Sequence, residues 1–403
     1  MLPRKLTDAD RNAFRNCRHL RLIWTEDKST ADLREISAGP LKTLDAEVIP
    51  KSTRLGSRLL RDLRALRDLV LPEETGSIGT RWFYGCDVER VTIPNGLREI
   101  GEEAFCECRK LRSVTFAEGS RLEKLGRACF LNSGIESVAL PPALKRLEHS
   151  TFRGCARLKS VQLPEQLEYV GEACFADCGL AEITVPNSVT ETGRSAFAGC
   201  RALKKVAFHR GSRLRKIAPF CFQNSGLEDI IVPKSVTELG QGAFEGCAGL
   251  RKILFQKGTA LERIGKSCFS NSGLESFKAP PGLRRMDGAA FAGCRSLRRV
   301  ALNDGLRALV SDCAGGFFQN SGLEQLTIPA TLAMVSSDVL SGCDSLRIVW
   351  VEEGCQLDVA RYMQKRVPIM TFPNGQKAVC GSRLGDLRRL RDVALPEGIQ
   401  VVG

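Results

Sequence analysis

The chain has 403 residues, and 43% of them are hydrophobic, which is ample apolar material for a large core. No apolar run approaches the roughly 18 residues that a membrane-spanning helix needs, so no membrane insertion is expected. The formal net charge of +13 favours acidic partners such as nucleic acid, or else marks a solvated surface rich in arginine.

The N-terminal segment, residues 1–79, has a counterpart near the C-terminus. Residues 17–24 resemble residues 343–350, and a second pair of segments matches at the same offset of about 325 residues. We therefore interpret residues 1–79 as degenerate N-terminal coils, and residues 352–403 as degenerate C-terminal coils that repeat residues 17–79.

Between residues 80 and 351 a phenylalanine recurs at steps of 22 to 27 residues. The column comprises Phe83, Phe105, Phe130, Phe152, Phe175, Phe197, Phe222, Phe244, Phe269, Phe291 and Phe318, and Leu340 continues it. A fixed period in the twenties is typical of a solenoid, in which each coil packs only on its neighbours. We predict one continuous array with residues 80–351 as its regular part.

Each coil carries a short strand and a return path. Residues 158–163 read Leu-x-x-Val-x-Leu, an alternation that indicates a strand with one buried face. Pro164 ends this strand because it has no N–H to donate to a ladder. We predict a short helical turn over residues 172–176 that inserts Phe175. Strands of successive coils should pair in parallel, about 4.8 Å apart.

Two kinds of coil alternate. Type-one coils read Ala-Phe-x-Gly-Cys, as at residues 196–200, and type-two coils read Cys-Phe-x-Asn-Ser-Gly-Leu-Glu, as at residues 221–228. The repeating unit is therefore a pair of about 47 residues. Asn-Ser-Gly is typical of a turn, since glycine adopts positive φ without steric cost.

The string Ile-Pro-x-x-Leu-x-x-Ile-Gly-x-x-Ala-Phe-x-x-Cys-x-x-Leu-x-x-Val-x-Phe occupies residues 93–116. It resembles the BspA-type leucine-rich repeat, and the resemblance covers at least residues 80–350. It implies an α/β repeat, namely a leucine-rich-repeat solenoid with one parallel β-sheet and short helical or irregular return segments. Members of that family are often surface adhesins, so the resemblance specifies the fold better than the function.

The 17 cysteines follow the repeat rather than a disulfide framework. One column lies three residues after the phenylalanine, where type-two coils carry serine instead, so the position is small, weakly polar and buried. Free buried cysteine packs as a small hydrophobe and suits a reducing compartment. A zinc site at Cys106 and Cys108, or at Cys174 and Cys178, is the more specific alternative. Against it, each of these cysteines occupies a position that the repeat already accounts for, and no histidine lies nearby in the sequence. We predict neither metal nor cofactor.

The cellular location is inferred from the same features. The first ten residues contain no apolar segment of the kind that a signal peptide needs. No asparagine lies in an N-glycosylation sequon. We therefore expect a cytoplasmic protein, and an adhesin function would require export.

The strands carry patterned charges. Type-one strands present Arg112, Lys159, Lys204, Arg251, Arg298 and Arg347, and type-two strands present Glu136, Glu228, Glu275 and Glu324. Adjacent coils thus set opposite charges side by side, which fixes the register of the coils and also suits a recognition surface. Ile231, Leu254 and Trp350 are the large apolar and aromatic side chains of the next outward position, and so are anchor candidates for a partner. For Trp350 the alternative is that the C-terminal coils shield it.

No catalytic constellation is evident. None of the three histidines is paired in sequence with a nucleophile or a metal ligand, and no phosphate-binding loop is present. We predict a non-catalytic scaffold that binds a partner protein through its strand-lined face.

Two alternatives for binding stay open. The first is polyanion binding, with nucleic acid as the possible partner, through basic return loops at Arg121, Lys124, Arg127, Arg210, Arg213, Arg215 and Lys216. The second is end-to-end self-association, because a C-terminal coil without a polar cap leaves an apolar end.

Overall fold

The computed structural model describes residues 22–25, 47–50, 67–71, 73, 75–310, 316–362, 367–372, 378–380 and 400–402. The chain divides into two compact units, Met1–Pro164 and Glu165–Gly403. The predicted boundaries between regular and degenerate coils stay predictions. The proposed super-repeat rests mostly on residues outside the described ranges.

The first unit is built from short strands. They are β1 Leu22–Thr25, β2 Glu47–Pro50, β3 Asp68–Val70, β4 Ser77–Ile78, β5 Arg90–Ile93, β6 Glu99–Ile100, β7 Ser113–Phe116, β8 Lys124–Leu125, β9 Ser137–Ala139, β10 Arg146–Leu147 and β11 Ser160–Gln162.

The second unit continues the alternation. Its strands are β12 Tyr169–Val170, β13 Glu182–Val185, β14 Glu191–Thr192, β15 Lys205–Phe208, β16 Lys216–Ile217, β17 Asp229–Val232, β18 Glu238–Leu239, β19 Lys252–Phe255, β20 Arg263–Ile264, β21 Ser276–Lys278, β22 Arg285–Met286, β23 Arg299–Ala301, β24 Ala308–Leu309, β25 Gln325–Ile328, β26 Met334–Val335, β27 Ile348–Glu352, β28 Ile369–Phe372, β29 Ala378–Cys380 and β30 Gln400–Val402. One 3-10 helix, Val359–Tyr362, follows β27.

Longer strands and two-residue strands alternate along the regular part of the chain, so each coil contributes one strand to each of two parallel ladders. In the first unit β3, β5, β7, β9 and β11 pair in that order, as do β4, β6 and β8. In the second unit the two-residue strands β12, β14, β16, β18, β20 and β22 pair in that order. The longer strands β21, β23, β25, β27 and β28 pair in that order as well. The stacked parallel coils are confirmed, but the expected single sheet is accompanied by a second ladder.

The predicted helical turn over residues 172–176 is wrong. The N–H of Ala173 donates to the carbonyl of Arg194 at 2.8 Å, and the N–H of Phe175 donates to that of Ala196 at 2.8 Å. In an α-helix these groups would donate to carbonyls four residues earlier in the same segment. Because every second N–H is directed to the next coil instead, the return segment is a third backbone ladder made of turns.

The phenylalanine column forms the centre of the core. The ring of Phe244 stacks on Phe222 at a centroid distance of 5.5 Å and on Phe269 at 5.6 Å, with interplanar angles of 14° and 8°. These separations fall in the range that aromatic pairs favour. All three rings are buried. Each coil thus supplies one ring to a continuous stack inside its unit.

A contact between asparagine and glycine distinguishes the two coil types. The residue two places after each phenylalanine has positive φ, as at Asn224 (55°) and Gly246 (69°). A Cβ on Gly246 would overlap the side-chain oxygen Oδ1 of Asn224 in the preceding coil. Glycine and asparagine are the residues that adopt this backbone conformation most readily. An asparagine in one coil therefore favours a glycine in the next.

Candidate partner-binding face

From β3 to β27 the residue immediately before each longer strand except β13 carries a charge, and these residues form the first charged row. It contains Arg67, Glu89, Arg112, Glu136 and Lys159 in the first unit, and Lys204, Glu228, Arg251, Glu275, Arg298, Glu324 and Arg347 in the second. Within each unit, every member after the first donates its backbone N–H to the carbonyl of the preceding member, as Arg251 does to Glu228 at 2.9 Å. The main chain therefore sets the spacing of these charges. Arg67 and Glu89 were not among the predicted residues, although their places before β3 and β5 follow from the period.

The charges of this row alternate in sign and form ion pairs at the surface. Lys204 Nζ lies 3.0 Å from Glu228 Oε1, and Arg298 Nε lies 3.4 Å from Glu324 Oε1. The Lys204 and Glu228 side chains are 57% and 60% exposed, so we expect a pair of this kind to stabilise the fold by at most about 1 kcal/mol. These charges therefore contribute little to folding and are accessible to a partner.

A second charged row lies beside the first in the second unit, on the opening residues of the longer strands from β13 to β23. It comprises Glu182, Lys205, Asp229, Lys252 and Arg299, with Ser276 as a neutral member. Asp229 and Lys252 are register partners in the β17–β19 pair. Asp229 has the same sign as its neighbour Glu228, and Lys252 the same sign as Arg251. Each of these two coils thus presents a stripe of one sign, and the signs alternate between them.

An apolar pair lies next to the two charged rows. Ile231 and Leu254 are register partners on β17 and β19, and their residues are 52% and 41% exposed. Ile231 alternates with buried neighbours, since the burial along β17 runs exposed, buried, exposed, buried, and Leu254 lies between buried Ile253 and partly buried Phe255. Two large apolar side chains side by side on an otherwise charged face are the composition expected of an interface centre.

Trp350 is not an exposed anchor, contrary to the sequence prediction. Its residue is only 1% exposed, and it pairs in register with Met370 of β28. The outward positions Gln325 and Ile348 beside it are buried as well. Since β27 is buried on both of its faces, Trp350 belongs to the packed interior and offers no surface to a partner.

The basic return loops are partly neutralised. Lys124 Nζ lies 2.7 Å from Glu99 Oε1, and Lys216 Nζ lies 3.0 Å from Glu238 Oε1. Arg127 Nε lies 3.9 Å from a carboxylate oxygen of Glu102. Three of the seven cations assigned to polyanion binding therefore face a carboxylate of their own chain, which weakens the attraction of that set for phosphate.

The cysteine column is part of the backbone hydrogen bonding. Cys247 Sγ donates to the carbonyl of Phe222 in the preceding coil at 2.9 Å. The same sulfur lies 3.3 Å from the Ser225 hydroxyl of that coil. Cys200 makes the equivalent bond to the carbonyl of Phe175 at 2.9 Å. The exchange of cysteine with serine thus reflects a shared hydrogen-bonding column.

We expect these thiols to be unreactive in the folded protein. Burial raises the pKa of Cys247 to about 11 and that of Cys200 to about 12. At pH 8 the thiolate fraction of each falls at least about a hundredfold below that of an ordinary thiol with a pKa near 9. Alkylation by iodoacetamide, mapped by peptide mass spectrometry, should be slower by this factor in buffer than in denaturant. Equal rates under both conditions would contradict the assignment.

The described residues offer no other site chemistry. No group of three or more histidine, cysteine, aspartate or glutamate side chains is placed there to hold a metal ion. No helix in the described ranges is long and apolar enough to cross a membrane. A small apolar cavity borders Leu340, at the end of the phenylalanine column, and is also lined by Leu326 and Val359. Its carbon lining identifies it as a space in the core that a larger ring would fill.

Stacked coils with parallel strand ladders and a buried column at a fixed period define a leucine-rich-repeat solenoid. The BspA type leucine rich repeat region matches in six copies over residues 76–204 and 215–347, and the chain belongs to this family. Leucine-rich-repeat arrays of this kind are typically non-catalytic.

One solved structure shows the same fold, and further solved structures show a weaker similarity. A leucine-rich repeat protein from Bacteroides ovatus is 24% identical, with a TM-score of 0.58, over 91% of this chain and 87% of that one. The pneumococcal vaccine antigen PcpA is 18% identical, with a TM-score of 0.49, over 76% and 89%. A leucine rich cell surface protein from Faecalibacterium prausnitzii is 21% identical, with a TM-score of 0.40, over 73% and 89%. No protein of curated function matches the chain.

Proposed function

We propose that the chain is a non-catalytic scaffold that binds a partner protein through its strand face, with the apolar pair Ile231 and Leu254 at the centre of the contact. The exposure of this pair between alternating charges carries the proposal. Three backbone ladders hold the face, so a preformed surface of this kind loses little conformational entropy on binding. Buried cysteines without a disulfide, such as Cys200 and Cys247, support a reducing compartment as its setting.

The test compares capture by matched surface variants. The chain is immobilised in lysate of its native cells at physiological salt, and retained proteins are identified by mass spectrometry. Replacing Ile231 and Leu254 together by alanine should reduce the specific set at least about tenfold, since interface anchors each contribute more than about 1 kcal/mol.

The matched control replaces Val310 and Met334, which are also exposed apolar residues but lie beside the two-residue strands. This variant should retain the wild-type set. Equal capture by the Ile231–Leu254 variant would contradict the proposal. Loss of the set after nuclease treatment would instead identify the basic loops as the binding site, because phosphate contacts account for binding to nucleic acid.

A further inference from the structure

The charge pattern of the second unit has a symmetry that the proposed function does not require. From Lys204 to Arg347 the first charged row changes sign at every coil. Two copies can meet face to face about a two-fold axis that runs parallel to the strands and midway between two neighbouring coils. The coil on one side of the axis then lies opposite the coil on the other side in the second copy, and the same holds for each pair further out. Because these two coils always differ in type, every positive stripe of one copy faces a negative stripe of the other. A strictly alternating row is self-complementary about such an axis.

The natural position for the axis is between β17 and β19. There Glu228 faces Arg251 of the second copy, and Asp229 faces its Lys252. One coil further out, Lys204 faces Glu275 of the second copy. Both charged rows thus meet with opposite signs at the centre, and the first charged row does so one coil further out as well.

The apolar pair falls on the same axis. The rotation sets Ile231 of one copy against Leu254 of the other, so four apolar side chains meet at the middle of the contact. Both are more than two-fifths exposed in the single chain, and the outward positions on the flanking strands are held by Ala207 and Lys278. Apolar anchors at the centre with charged surroundings form the usual anatomy of a stable interface.

We propose that the partner bound by this face is a second copy of the chain, in an antiparallel dimer whose two-fold axis runs between β17 and β19. The inference rests on the proposed function, since it uses the same face, and it names the occupant. A two-fold axis along the stack of coils would place each coil opposite the same coil of the second copy, so that each stripe would face a stripe of its own sign. Such like-charge contacts cost several kcal/mol. The antiparallel arrangement is the one that the alternation favours.

Sedimentation velocity on the full chain, with two charge-reversal variants, tests the dimer. One variant carries Glu228→Arg with Asp229→Lys, and the other carries Arg251→Glu with Lys252→Glu. Each alone sets like charges against each other across the axis, so its dimer dissociation constant should rise at least about tenfold. An equimolar mixture of the two restores opposite charges at every central contact and should form a heterodimer with near wild-type affinity.

The control carries Glu262→Arg with Asp304→Lys, which makes the same change in net charge as the Glu228–Asp229 variant, at exposed positions outside the longer strands. It should dimerise as the wild type does, and circular dichroism confirms that each variant is folded. A wild-type chain that stays monomeric up to about 100 μM overturns the dimer, as does a mixture that fails to associate.

The dimer and the proposed function can fail separately. A monomeric chain whose capture of other proteins still depends on Ile231 and Leu254 would overturn the dimer alone. In the opposite case, the mixture of charge-reversal variants forms the heterodimer, but replacing Ile231 and Leu254 leaves the capture of other proteins unchanged. That result would overturn only the proposed binding of a different protein through this face.

Discussion

Replacing Phe244 by alanine is expected to lower the free energy of unfolding by about 3–5 kcal/mol, the range for deleting a fully buried ring. The ring is buried between Phe222 and Phe269, at 5.5 and 5.6 Å, and each coil contacts its neighbours through such a ring. Alanine leaves a cavity at that level and removes both stacking contacts. Urea denaturation followed by circular dichroism measures the loss.

Phe255 provides the matched control. It lies outside the column, is only partly buried, and meets Phe277 edge-on at 6.3 Å. We expect Phe255→Ala to lower the free energy of unfolding by about 1–2 kcal/mol, because the partly buried Phe255 ring removes less apolar area from water on folding than the Phe244 ring does. If the two substitutions destabilised the protein equally, the phenylalanine column would not be the centre of the core.

The stacked parallel coils could be predicted because a stack imposes its period on the sequence. Each ring must meet the next at the same level, so Phe222, Phe244 and Phe269 recur at nearly constant steps. The same reasoning predicted the first charged row, since residues such as Glu228 and Arg251 occupy one position of the coil. Features set by the repeat itself are therefore readable without a structure.

The return segment could not be predicted in this way. Residues 172–176 contain Glu172, Ala173 and Ala176, which favour a helix by local propensity. The outcome depends on whether an N–H finds a carbonyl in its own segment or in the next coil, and that choice is not local. The positive φ of Ala173 and Asp177 belongs to the ladder geometry and overrides the propensity.

Trp350 illustrates a different limit. The prediction of an exposed anchor followed from its place in the outward row. Its strand, however, reads Ile-Val-Trp-Val at residues 348–351, an uninterrupted apolar run. Residues 230–232 around Ile231 also form an apolar run, Ile-Ile-Val, so the local pattern does not distinguish the two positions. The difference lies in the neighbouring strand, because Trp350 pairs with Met370 of β28 and is covered.

Replacing Gly246 by alanine should lower the free energy of unfolding by about 2–4 kcal/mol. Its φ of 69° costs a residue with a side chain about 1–2 kcal/mol, and the added Cβ overlaps Asn224 Oδ1 as well. Gly258 separates the two effects, since its φ is 74° but no atom lies within 4 Å of the position of a Cβ. Gly258→Ala should therefore show the backbone cost alone. Urea denaturation of both variants measures the difference.

The double variant Asn224→Gly with Gly246→Ala decides whether the asparagine is the cause. Removing the asparagine side chain frees the space for the new Cβ, and glycine keeps the positive φ at that position. The second substitution should then cost only what Gly258→Ala costs, so the two changes are coupled by about 1–2 kcal/mol. Additive effects would mean that another contact excludes a side chain at Gly246. Coupling would show that this contact disfavours a side chain at the same position of the coil that follows an asparagine.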